Sequence, residues 1–161
     1  MVRIRPFVAL VFLTMLVVCA GALPPGVQKG ALAGESAKFY QNRGLEYGKK
    51  GEIDWAIADF TKALQIDPRF AAAYVNRGVA YAKKGQLDRA IADFNKALDI
   101  NPRDVLAYTN RAEIYRNKRQ YDQALSDYNK ALEINPRFPF GYGGRGRIYL
   151  EKGQYDRAIA D

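Results

Sequence analysis

The 161-residue chain has no histidine, a single cysteine, one tryptophan and two methionines. Without an imidazole there is no Ser–His–Asp or Cys–His catalysis, no proton switch near neutral pH and no mixed Cys/His zinc site. One cysteine cannot close an internal disulfide. It is Cys19, inside the most apolar stretch of the chain, which is a poor setting for a nucleophilic thiolate. Carboxylate and lysine chemistry survive this inventory, but no motif points to either. Neither a cofactor nor enzymatic activity is expected.

What is present begins with an address. Arg3 and Arg5 precede an apolar run from Phe7 through Val18, followed by Cys19-Ala20-Gly21-Ala22. A basic start, an apolar middle and small residues at the cut are the order of an export signal over residues 1–22, with cleavage expected after Ala22. Two other readings stay open. Phe7 to Leu23 is 17 residues, the lower edge of a bilayer span, so the segment could stay as an uncleaved anchor. Leu16-Val17-Val18-Cys19 resembles a bacterial lipobox, although Val18 stands where a small residue is wanted, so Cys19 could carry lipid. All three readings place the remainder outside the cytoplasm, in the periplasm or secreted, or anchored to a membrane. Residues 23–36, LPPGVQKGALAGES, show no apolar period and read as a flexible linker.

From Ala37 onward a period of 34 residues organises the chain. Pro68, Pro102 and Pro136 keep that step, as do Tyr40, Tyr74, Tyr108 and Tyr142, and Tyr47, Tyr81, Tyr115 and Tyr149. The units are 37–70, 71–104, 105–138 and a partial 139–161, and the first two share 21 of 34 positions. Each unit holds two helical stretches. In the second, Tyr74, Gly78 and Tyr81 share one face, and Ala90, Phe94, Ala97 and Leu98 share another. Gly85 separates the two helices and Asn101-Pro102 ends the second. One such hairpin cannot close a core; a stack can.

These residues resemble the tetratricopeptide repeat family, whose pattern of aromatic, small residue, aromatic, Ala, aromatic, Ala and Pro appears here as Tyr40, Gly44, Tyr47, Ala56, Phe60, Ala63 and Pro68. The resemblance covers Ala37 to Asp161. It implies an all-α fold, a right-handed superhelix of antiparallel helix pairs with three full repeats and a partial fourth. It also implies a non-catalytic protein-interaction scaffold. The third unit departs by carrying Ala112 and Arg119 where its neighbours have Gly, so its inter-helix turn must use a non-glycine residue. The fourth unit reaches only about seven residues into its second helix, so a longer reading frame, fraying, or completion by another molecule (self-association through this repeat) is expected.

The resemblance further implies a ligand groove along the first helix of each pair. Its positions are Lys38, Gln41, Asn42 and Leu45 in the first unit, and Ala72, Val75, Asn76, Val79 and Ala82 in the second. The third unit contributes Leu106, Thr109, Asn110, Glu113 and Arg116, and the fourth Phe140, Gly143, Arg147 and Leu150. An apolar groove with basic margins suits an extended or helical protein segment, with acidic groups on it favoured. The recurring Asn could bond a bound backbone. The Arg that follows each, Arg43, Arg77 and Arg111, reads better as a structural ladder with Asp59, Asp93 and Asp127. Family members that capture a terminal carboxylate use a Lys, Asn and Arg set; here Gln41, Leu45, Leu106 and Asn110 occupy those places, so that mode is not expected.

Gly141, Gly143 and Gly146 fit G-x-G-x-x-G by spacing, but Asn135-Pro136 precedes them instead of a strand, so nucleotide binding is not expected. Each of these glycines instead weakens a helix by roughly 1 kcal/mol relative to Ala, making the fourth unit's first helix the least stable. The net charge of +8 falls to +6 without Arg3 and Arg5, and no aromatic–basic pattern for reading bases accompanies it, so no nucleic-acid partner is expected. The leading function is an exported scaffold. The alternatives are the N-terminal part of a larger envelope enzyme and a lipid-anchored assembly factor, with the membrane reached only through the N-terminal segment.

Overall fold

The structure, a computed structural model, describes residues 29–161. The expected export signal, Cys19 and residues 23–28 of the expected linker lie outside the described residues. Eight α-helices follow one another: α1 (Lys29–Lys50), α2 (Ile53–Ile66), α3 (Ala71–Lys83), α4 (Leu87–Ile100), α5 (Val105–Asn117), α6 (Tyr121–Ile134), α7 (Pro139–Glu151) and α8 (Tyr155–Ala160). They pair as α1/α2, α3/α4, α5/α6 and α7/α8, and there is no strand among the described residues. The expected linker is corrected at its C-terminal end. Residues 29–36 belong to α1, because no proline follows Pro25 in that stretch and Ala31, Leu32 and Ala33 are good helix formers that offset Gly30 and Gly34.

Each hairpin turns the same way. After α3, the Gln86 N–H donates to the Tyr81 carbonyl at 2.9 Å and the Gly85 N–H to the Ala82 carbonyl at 2.9 Å, with Gly85 at φ +73°. This is a helix stop that needs a left-handed residue. Gly51 and Gly153 repeat it at φ +81° and +70°. In the third repeat Arg119 takes the position at φ +58°, as the missing glycine required. The second helix of each pair ends on an extended Asp67, Asn101 or Asn135 ahead of Pro. Their side-chain oxygens accept from the N–H groups of Arg69, Arg103 and Arg137.

Packing runs from neighbour to neighbour. Ala56, Ala63, Ala90, Ala97, Ala124 and Ala131 are fully buried where helices meet, and Phe60, Phe94 and Tyr128 fill the spaces between them. A Cβ at Gly44 would lie 2.7 Å from the Phe60 ring, and one at Gly78 would lie 2.8 Å from the Phe94 ring. The first helices also touch one another, α3 with α5 and α5 with α7, so their outward faces form a continuous surface. In α8, Tyr155 and Ile159 are exposed, whereas the residues at their phase in the earlier repeats are partly buried.

Candidate functional site

Two faces of the first helices carry different chemistry. Residues of the Tyr74, Arg77, Tyr81 phase lie on one side of each helix, and those of the Leu106, Glu113 phase lie opposite. On the first side the arginines form a ladder. Arg77 grips Asp93 through two bonds of 2.8 Å, and its remaining Nη1 donates across the repeat boundary to Thr61 Oγ1 at 3.1 Å. Arg111 holds Asp127 and reaches Asn95, while Arg145 holds Asp161 and reaches Asn129. Arg43 holds Asp59 in the first repeat. The acids are buried and each guanidinium packs over tyrosine or phenylalanine rings, Arg77 at 5.6 Å from Tyr74 and 5.8 Å from Tyr81. The hydrogen bonds that Arg77 donates to Asp93 raise the Arg77 pKa against the opposing pull of burial. These arginines are structural, and the expected ladder is what they build.

The opposite side carries the expected groove residues, and the structure sorts them. Lys38, Asn42, Leu45, Ala72, Leu106 and Arg147 are exposed. Asn76, Val79, Ala82, Glu113 and Arg116 are half-buried along the same surface. Gln41, Val75 and Thr109 are buried and occupy one phase of the repeat. Val75 is 7% exposed within the cluster of Phe94, Leu98, Ala107 and Ile114. Thr109 turns its hydroxyl back to the Val105 and Leu106 carbonyls at 2.9 and 3.2 Å. Gln41 is buried with its Oε1 unpartnered among the described residues. The Asn110 Nδ2 donates to the Leu106 carbonyl at 2.8 Å, which leaves its Oδ1 as the acceptor toward the groove.

Among the described residues, this side carries two hollows set between successive first helices. One, of about 240 Å³, lies between α1 and α3 and is lined by Leu45, Asn76 and Val79 with Lys49 and Lys83 at its edge. The larger, about 550 Å³, lies between α5 and α7 and brings together Leu106, Thr109, Asn110, Glu113 and Arg147 from the expected set. It also includes Phe140 and Gly143, expected from the fourth unit, and Tyr128, Phe138 and Gly144, which sequence reasoning missed. The signal was available: glycine replaces the recurring Asn at residue 144, and Tyr128 replaces the Phe of the first two repeats. The Tyr128 hydroxyl donates to Glu113 Oε1, and Arg116 donates to Glu113 Oε2 at 2.9 Å and to Glu151 at 2.8 Å. Burial pushes the Glu113 carboxyl up, but the Tyr128 and Arg116 bonds outweigh it and hold the carboxyl below its ordinary range. Burial first, and then the Glu113 carboxylate, push the Tyr128 phenol well above its ordinary value. Arg147 makes no ion pair among the described residues.

The glycines 141, 143 and 146 lie inside α7, not at a strand-to-helix turn, so they form no phosphate cradle. No cluster of metal ligands occurs among the described residues, and no helix among them is long and apolar enough to cross a membrane.

Comparison with known proteins follows the repeats. Tetratricopeptide repeat models match residues 71–104, 105–138 and 127–160, and a further TPR repeat model matches 44–85. No curated protein sequence matches the chain. Among solved structures, the first TPR of Spaghetti (RPAP3) bound to the HSP90 peptide SRMEEVD has a TM-score of 0.72 at 26% identity, covering 74% of this chain and 94% of that one. MamA has a TM-score of 0.73 at 26% identity, covering 82% and 78%. The Arabidopsis OM64 TPR domain shares the fold at 23% identity and a TM-score of 0.72, covering 74% and 98%. With its 34-residue period, its four stacked helix pairs and family matches running through residues 44–160, the chain belongs to the tetratricopeptide repeat family and is an all-α solenoid of that kind.

Proposed function

We propose that the chain is an exported, non-enzymatic scaffold that binds a protein segment along the groove formed by its first helices. The observation that carries this reading is the row of incompletely buried apolar side chains there, Leu45, Val79 and Leu106, each beside a hollow between successive first helices. Unsatisfied apolar surface set between repeats favours a partner that covers it. A structural neighbour solved with a peptide supports the same use of the fold. The binding mode differs from terminal-carboxylate capture, because Gln41 is buried and Leu45, Leu106 and Asn110 offer no cation. Export rests on the pattern of residues 1–22.

The test is selection of about 12-residue peptides from a random library, a length that spans two or three repeats when extended. Binding to the intact protein, and at least about tenfold weaker binding to Leu45→Asp and Leu106→Asp proteins that keep their thermal midpoint, is the expected result. Equal affinity for both variants refutes the groove. Mass spectrometry of the mature N-terminus, expected to begin at Leu23, tests export.

A further inference from the structure

We propose that the hollow between α5 and α7 takes a bulky apolar side chain, phenylalanine or leucine, from an acidic peptide segment whose carboxylate pairs with Arg147. This rests on the groove reading above and specifies the ligand of one part of it.

Shape comes first. At about 550 Å³ the hollow has more than twice the volume of the one between α1 and α3 and falls in the range of small-ligand sites. Its floor departs from the repeat pattern at two positions, residues 128 and 144. Asn42, Asn76 and Asn110 project a side chain from the latter phase, whereas residue 144 is glycine. A Cβ on Gly144 would overlap the Tyr128 ring, so the ring takes the place of that side chain and forms the floor of the hollow. The walls are apolar and unsatisfied. Leu106 is 56% exposed and Phe140 75%, and Phe138 lies 5.6 Å from Phe140, ring to ring. An inserted apolar side chain would remove these surfaces from water together.

Charge selects the flanking group. Glu113 lies half-buried in the same wall, its oxygens accepting from the Tyr128 hydroxyl and from Arg116. Arg116 also bonds Glu151, so this triad keeps one net negative charge, which Arg147 opposes from the exposed rim. Arg147 is left as the exposed cation on the wall of the hollow, without an ion pair among the described residues. Its planar guanidinium suits a carboxylate. The result is an apolar socket with one positive edge, complementary to a large apolar residue next to Asp or Glu.

The probe is 3-phenylpropionate, which joins a phenyl ring to a carboxylate, added to the isotope-labelled chain and followed by amide shifts. Saturable shifts at Gly143, Gly144 and Arg147 are expected, with a Kd on the order of millimolar for so small a ligand. The affinity should fall about fivefold in Arg147→Gln and by about tenfold for 3-phenylpropylamine against the intact chain. Leu106→Asp, at an exposed position, should abolish the shifts. No saturable shift at these residues up to about 20 mM overturns the proposal, as does equal binding of the amine. If selected peptides still bind and still depend on Leu45, the groove reading survives while this one fails. Self-association of the free chain that Leu106→Asp removes would make the occupant a second copy, which also overturns it.

Discussion

The boundary between the first two repeats and the boundary between the last two are joined alike on one side and differ on the other. On the ladder side, Arg77 reaches Thr61 across the first boundary as Arg145 reaches Asn129 across the last. On the groove side, Asn76 lines the first hollow, whereas at the last the Tyr128 ring packs against Gly144. The regular side is the part of the pattern that folding demands. The irregular side is where one repeat can change without disturbing its joints, and binding specificity can be written there.

The largest expected effect breaks the regular side. Arg77→Ala would leave the Asp93 carboxylate buried without its partner, at a cost of about 3 kcal/mol measured by denaturant unfolding. Arg43→Ala should cost less, because the Arg43 side chain is 44% exposed against 17% for Arg77. Equal losses would show that the ladder is not weighted by burial. The next effect tests the irregular side. Gly144→Asn restores the repeat's usual residue, yet its Cβ would meet the Tyr128 ring, so a loss of about 2 kcal/mol is expected. A neutral result would mean that the last hollow can be closed freely.

Arg119→Gly should stabilise the third repeat by about 1 kcal/mol, since glycine adopts the left-handed conformation without the Cβ clash. Gly85→Ala, at φ +73°, should lose a comparable amount. The smallest effect concerns pH. The Glu113 carboxyl is held below its ordinary 4.5, so its stabilising contribution is full above that value and is lost as pH falls through the lowered pKa. With a side chain 40% exposed, it is worth under about 1 kcal/mol. The stability gap between the intact chain and Glu113→Gln should therefore be constant near neutrality and shrink below pH 4.5.

The helix pairs and even the odd turn at Arg119 were legible because each is a local signal repeated at one spacing. The groove was legible only in outline. Val75 and Thr109 carry residue types that suit either a surface or a seam, and only the stacking of the next hairpin decides that they are buried. The start of α1 at Lys29 was hidden by glycines that favour a loop reading. The floor of the α5–α7 hollow depends on Tyr128 packing against Gly144 and reaching Glu113 from another helix, and no periodicity encodes that pairing.

Lys84, Lys118 and Lys152 each bridge to an aspartate one repeat earlier, Asp54, Asp88 and Asp122, always 30 residues back. None of these ties skips a repeat. Deleting residues 71–104 in frame would therefore bring Lys118 into register with Asp54, and Arg111 with Thr61, in place of Lys84 and Arg77. Joints of this kind are interchangeable couplings. Whole units could be inserted, lost or exchanged between chains, and the length of the array could change without any new interface having to arise.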